Sequence, residues 1–327
     1  DLLPIMSQFA RAGVHVLACD SRYRGADYAL NMEKVTLDLG SAMRHAREVL
    51  GYQHVVLLGW SGGGSLSAFY QSQAERPTVT SSPCGGGPDL TQASLPPADA
   101  LIMMAAHVSR HGTLTEWLDA SVIDECNPTL RDASLDLYGG EINPPFDDAF
   151  LVRYHEAQIA RNRKITSWVK NKLAALIDAG REHEEFAFVT HGTMADPRWL
   201  DPRVDPNDRA PGTCYLGDPR IANNGPVGLA RFCTLRSWLS QWSYDDANAC
   251  GPTSLGRVTV PVLVVGNSAD DACTPQHTDR LFEAIGHTRK AMVNIQGANH
   301  YYMGQPELAA QASAAVLDWL ADQGFPV

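Results

Sequence analysis

The sequence has no C-x-x-C pair, no run of lysine and arginine, and no apolar stretch of membrane-spanning length. Its longest apolar runs, 55–58, 100–106 and 260–265, fall far short of the ~18–20 residues needed to cross a bilayer, which excludes a transmembrane helix. Basic residues are outnumbered: 26 Lys plus Arg stand against 37 Asp plus Glu, a formal net charge of -11. Such a field repels phosphates and anionic lipid, so neither nucleic acid nor a membrane surface is expected as a partner. The seven cysteines at 19, 84, 126, 214, 233, 250 and 273 form an odd, scattered set. That pattern predicts mostly free thiols and, with them, a cytoplasmic setting. P-loop and Rossmann fingerprints are lacking as well; Gly85-Gly86-Gly87 stands in a loop, and no cofactor is expected. With 44% hydrophobic and 19% charged residues, the composition excludes disorder, collagen-like repeats and a disulfide scaffold.

What is present is a rhythm. The 327 residues allow one large domain or a domain with a sizeable insertion. Helical spacing over 2–12 stops at Gly13, and a short β-type run at 14–19 leads to a loop at 21–25. A long amphipathic helix is predicted at 32–50, a buried strand at 54–58, a helix at 62–75 and another apolar strand at 98–106. Between the last two, 78–97 is rich in Ser, Gly and Pro and reads as a surface loop. Near-continuous apolar strands alternating with helices predict an α/β fold, a mostly parallel sheet covered on both faces. The rhythm breaks after His107, where helical segments at 149–161, 166–179 and 229–242 flank a loop-rich stretch at 196–226. It resumes with a strand at 258–265, a helix at 275–285, a strand at 290–295 and a closing helix at 305–323. The expected organisation is therefore a core of 1–107 and 258–327 interrupted by a helical insertion, 108–257.

The chemistry concentrates at Gly59-Trp60-Ser61-Gly62-Gly63, a G-x-S-x-G sequence between a predicted strand and a predicted helix. A serine in such a tight turn has a strained backbone and small neighbours, and it sits at the start of the helix. The Gly62 amide is then placed to donate to a developing oxyanion, an interaction worth about 3 kcal/mol of barrier. A serine hydroxyl needs a base and an orienting acid. Asp270 and Asp271 stand just past the strand at 258–265, and His300 closes Gly297-Ala298-Asn299-His300 after the strand at 290–295. All three positions lie at strand C-terminal ends, where open α/β sheets gather their sites.

These motifs, in this order, resemble the α/β-hydrolase superfamily, in particular serine esterase- and lipase-like members with a large cap. Ser268-Ala269-Asp270-Asp271 and Gly297-Ala298-Asn299-His300 match the family's acid and histidine motifs, and Asp20 with Arg22 and Gly25 resembles the loop after its fourth strand. The resemblance implies a serine hydrolase with Ser61 as nucleophile, His300 as base and Asp270 as acid, Asp271 being the runner-up. It also implies further strands before the helix at 2–12, and a loop there that supplies the second oxyanion amide. Only one expected strand, 14–19, precedes the elbow strand, so at ~5–6 residues per strand plus connections roughly 40–70 residues are expected upstream. Insertion 108–257 would be the cap. Its aromatics, Trp117, Trp168, Trp199, Trp238, Trp242, Tyr138, Phe146, Phe150 and Tyr154, suit a mainly apolar ester or lactone of small to medium size or simply form the cap's own core.

Other residues carry weaker signals. Trp60 reads as a substrate-pocket wall or as core packing, and His107 as lining or capping that pocket. His107 and His111 have metal-pair spacing but no third ligand, so no metal is expected. His183-Glu184-Glu185 lacks the second histidine of a zinc motif, and Cys273 reads as structural. Acyl transfer or C–C bond hydrolysis on the same triad, and a ligand-binding protein without catalysis, are the alternatives. The only partner expected is a small-molecule ester substrate, with a homo-oligomer left open.

Overall fold

Segments apolar on every side are driven to the middle of a sheet, where helices cover both faces. The computed structural model, which describes residues 4–326, shows this arrangement. Helix α1 (Pro4–Arg11) and α2 (Met32–Arg44) precede strand β1 (Val56–Ser61); α3 (Gly62–Glu75) leads to β2 (Ala100–Ala106). Helices α4 (Arg110–Trp117) and α5 (Asp148–Asp178) follow, with a small antiparallel pair, β3 (Ala187–Val189) and β4 (Phe232–Thr234). The chain then returns to the sheet through β5 (Val262–Asn267), α6 (Pro275–Ala284), β6 (Lys290–Ile295) and α7 (Pro306–Asp322). The sheet is parallel throughout, in the order β1-β2-β5-β6.

Strands β2 and β5 are buried along their whole length, and alternate residues feed two cores. On one face Ile102, Met104, Leu263 and Val265 pack with Ile5 and Phe9 of α1 and Val316 and Trp319 of α7. On the other, Leu101, Met103, Val262 and Val264 meet Met43 of α2, Ala68 of α3 and Leu281 of α6. Helix starts follow side-chain caps: Asn31 accepts from the Lys34 amide, Ser109 from Gly112 and Asp147 from Phe150.

Three expectations need correction. The run at 14–19 is not a strand: it pairs with none among the described residues, leaving Val16 and Leu17 exposed, and β-propensity without a ladder partner makes no strand. The helices expected at 149–161 and 166–179 are one helix, α5, because Ile165 and Thr166 bury on the same face as Val169 and Leu173. The stretch 229–242 is divided among β4, a helical turn at Leu235–Ser237 and a π turn at Trp238–Trp242. Of the helix expected from residue 2, Leu2 and Leu3 lie outside the described residues.

The segment between β2 and β5 has a more polar interior. Arg161, 4% exposed, donates to the carbonyls of Asp119, Gly192 and His191 and pairs with Glu125 at 2.7 Å. Arg198 bridges Asp196 and Glu116 at 2.5 and 2.6 Å. No helix among the described residues is long and apolar enough to cross a membrane, and the seven cysteines are free.

Candidate active site

The turn from β1 into α3 holds Ser61 at φ 49°, a left-handed conformation that costs a non-glycine residue free energy and persists only where surroundings enforce it. Crowding is that enforcement. A Cβ at Gly59 would lie 2.6 Å from the Gly63 carbonyl oxygen, and one at Gly64 would lie 2.4 Å from Ala106 Cβ. At Gly63, by contrast, a Cβ would meet nothing within 4 Å, so the second small position the packing requires is Gly64 rather than the motif's own Gly63. A register shift beside Trp60 and Ser61 skips Ala105, itself at φ 42°, and re-aims the strand end. The Ser61 carbonyl accepts from the His107 amide at 3.1 Å.

Asp270 follows β5 in a tight turn, where its Oδ1 accepts from the amides of Ala272 (2.8 Å) and Cys273 (2.7 Å). Those two bonds orient Oδ2 toward His300. The His300 Nδ1 lies 2.8 Å from Asp270 Oδ2, and its Nε2 lies 3.1 Å from Ser61 Oγ. The structure thus brings Ser61, His300 and Asp270 into one relay; Asp271, one residue on, makes no hydrogen bond to the ring. Burial disfavours the imidazolium of His300, but the neighbouring charges of Asp270 and Asp271 outweigh it and raise its pKa above the ordinary histidine value. Burial, reinforced by Asp270, pushes Asp271 up to about 6.

Residues without motif status hold the histidine loop. The Tyr302 hydroxyl donates to Asn267 Oδ1 at 2.7 Å, and Asn267 Nδ2 donates to the Asn299 carbonyl at 3.0 Å. Gln305 accepts from the Asn299 amide and donates to the Gly297 carbonyl, both at 2.8 Å. Side-chain to backbone clamps of this kind leave no sequence spacing by which to find them.

Gly62 begins α3, and the Ser61 side chain makes no capping bond, so the first-turn amides stay free for an incoming group. Trp60 is buried, edge-on to His300 and Tyr302 with ring centroids 6.5 and 5.7 Å away, inside the sheet core. His107 is buried behind His300, their centroids 6.1 Å apart, with its Nδ1 3.3 Å from Cys273 Sγ. Burial and the adjacent imidazoles of His277 and His300 hold the His107 pKa well below the ordinary value, so the ring is neutral. His111 diverges toward Tyr244 and does not meet His107. Asp270, Cys273 and His300 place three donor atoms within 4.8 Å of one another, but both His300 nitrogens are already engaged within the relay. Cavities of about 360 and 220 Å³ lie elsewhere, the first beside Arg131 and Tyr138, the second beside Asn207 and Asn294.

No family model matches the chain, and no curated protein matches it in sequence. Among solved structures it is similar to a monoacylglycerol lipase from Paleococcus ferrophilus, with 15% identity over 90% of this chain and 76% of that one, at a TM-score of 0.41. It is similar to the esterase domain of a Rhodothermus marinus protein, with 12% identity, 97% and 78% coverage and a TM-score of 0.46. Est1E from Butyrivibrio proteoclasticus matches at 13% identity, 97% and 81% coverage and a TM-score of 0.45. A parallel sheet in which the C-terminal ends of β1, β5 and β6 present a strained serine, an aspartate and a histidine decides the architecture. It is the α/β-hydrolase fold. In the α/β-hydrolase fold these strand ends form one rim, which is why residues 239 positions apart can share a hydrogen bond.

Proposed function

We propose that the protein is a serine hydrolase that cleaves a small to medium carboxylic ester or lactone through an acyl-enzyme. The observation that carries this is the relay from Asp270 through His300 to Ser61, at 2.8 and 3.1 Å. Ser61 Oγ attacks the acyl carbonyl while His300 Nε2 takes its proton; the same proton then passes to the departing alkoxide. Asp270, fixed by two backbone amides, keeps the Nδ1–H tautomer and stabilises the imidazolium that forms. The Gly62 amide and the free first turn of α3 face the carbonyl oxygen as its charge develops. Water, deprotonated by His300, attacks the acyl-enzyme and releases Ser61. The segment 108–257, with its aromatic side chains, serves as the cap that excludes bulk water and bounds the substrate.

A fluorophosphonate probe tests the nucleophile. Covalent labelling of Ser61, lost in Ser61→Ala, is expected; a protein that takes no label would sink the reading. A series of p-nitrophenyl esters of rising chain length then measures the size of the acyl site.

A further inference from the structure

The first residue of α4, Arg110, brings a cation to the nucleophile turn. A Cβ on Gly62 would lie 3.4 Å from Arg110 Nε, 3.5 Å from its Nη2 and 3.6 Å from its Cζ. The guanidinium therefore covers the residue next to Ser61. Nη1 donates to Gln241 Oε1 at 2.6 Å, and the group stands 5.9 Å from the Trp242 ring centroid. Both partners are neutral. Among the described residues no carboxylate oxygen comes within 4.0 Å, and Nε is buried with no acceptor. Burial lowers the Arg110 pKa, and only Asp27, beyond ion-pair distance, pulls it back.

Other arginines in this chain show what the Nε–Nη2 edge is suited to hold. Arg161 gives Nε and Nη2 to the two oxygens of Glu125 at 2.7 and 2.8 Å, and Arg163 gives the same two atoms to Asp245 at 2.8 and 2.9 Å. The Nε–Nη2 edge is a planar fork matched to a carboxylate. On Arg110 the Nε–Nη2 side lies against Gly62, at the uncapped N-terminus of α3, whose dipole favours an anion as well. An unpaired cation at a buried site is costly unless it works on a ligand, and this one stands at the nucleophile.

We infer that Arg110 is a specificity-determining residue that grips a carboxylate on the substrate, so that the ester cleaved at Ser61 is an anionic half-ester rather than a wholly apolar one. The inference rests on the serine hydrolase reading above and narrows its substrate class. The acyl chain keeps its apolar body, and one end carries the charge.

The test compares mono-p-nitrophenyl glutarate with its uncharged analogue, p-nitrophenyl methyl glutarate. The parent enzyme is expected to prefer the anion in kcat/KM by about 10-fold or more, as befits one charge-assisted pair. Arg110→Gln should abolish the preference while the neutral ester changes less than about three-fold, and Arg110→Lys should retain part of it. Free glutarate should slow fluorophosphonate labelling of the parent and leave Arg110→Gln unaffected, a readout that needs no turnover and shows that the variant is folded. Equal rates on both esters in the parent overturn the inference. An equal loss on both esters in Arg110→Gln also overturns it, pointing to an oxyanion or structural role. Were Arg110→Gln not to fold, a reduced preference in a folded Arg110→Lys would support the inference and an unchanged preference in it would overturn it. Labelling at Ser61 without anion preference refutes this inference alone, whereas absence of labelling in the parent refutes the hydrolase reading beneath it.

Discussion

The four-stranded sheet and the segment between β2 and β5 are held together by different chemistry. In the sheet, residues such as Leu101, Met103 and Leu263 are fully buried and apolar, so cohesion comes from area removed from water. In the intervening segment, buried Gln158, Arg161 and Asn162 of α5 hold neighbouring loops and α4 through directed hydrogen bonds, while buried Asp119 binds Asn223 and Arg198 binds Asp196 and Glu116. The sheet supplies a rigid rim for Ser61, Asp270 and His300. The segment buries apolar side chains too, Trp117, Trp199 and Trp238 among them, but its long loops take their definite shape from polar partners with fixed geometry.

Four experiments would break or sharpen this contrast, the largest effect first. Ser61→Ala and His300→Ala should each lower kcat/KM by about 10⁴-fold or more while the melting temperature stays near the parent's, since both side chains belong to the rim and not to the cohesion. Substantial residual turnover in either would show the relay is misassigned. Arg198→Met should destabilise the protein by about 3–5 kcal/mol in urea unfolding, because it leaves Asp196 buried without its cation and takes the nearest one from Glu116. Leu263→Ala in β5 should cost about 2–5 kcal/mol through a cavity alone. If Arg198→Met proves the milder by far, the polar interior is not what holds the segment.

Smaller effects come from Asp271. Its folded pKa of about 6 stands above the unfolded carboxylate value, so the folded state binds more protons across the interval between them. Stability therefore falls as pH rises through that window, and the full penalty applies above it. Asp271→Asn removes the penalty: it should stabilise the fold by up to about 3 kcal/mol at pH 8 and by almost nothing at pH 3.5. Equal stabilisation at both would refute the assignment. The mildest effect is on the acid limb of kcat/KM. In the proposed mechanism His300 serves as base only when neutral, and its raised pKa keeps it protonated to higher pH, so activity should rise through a midpoint above about 6.5. Because Asp271 contributes to that elevation, Asp271→Asn should move the midpoint toward lower pH.

Much of the sheet was legible beforehand. The apolar strands and the elbow motif are contiguous stretches whose hydropathy and small residues suffice, and Ser61, Asp270 and His300 follow them at strand ends. The run at 14–19 shows the limit of such reading, for its composition suits a strand but pairing is a property of two segments. The continuity of α5 through 162–165 depended likewise on which face packs inward. Gly64 could not be separated from Gly63 by motif, since only the approach of Ala106 makes one of them indispensable.

The sequence by itself determined the parallel apolar strands and the three side chains that meet at their ends, because local hydropathy and turn chemistry act within a few residues. The tertiary structure sets Asp270, rather than Asp271, against His300, and it alone decided which clamps hold the histidine loop and that Arg110 stands over Gly62 with no carboxylate beside it. Those outcomes depend on distances across the chain, and a hydrogen bond or an unpaired charge exists only once distant segments have been brought to within about 3 Å of one another.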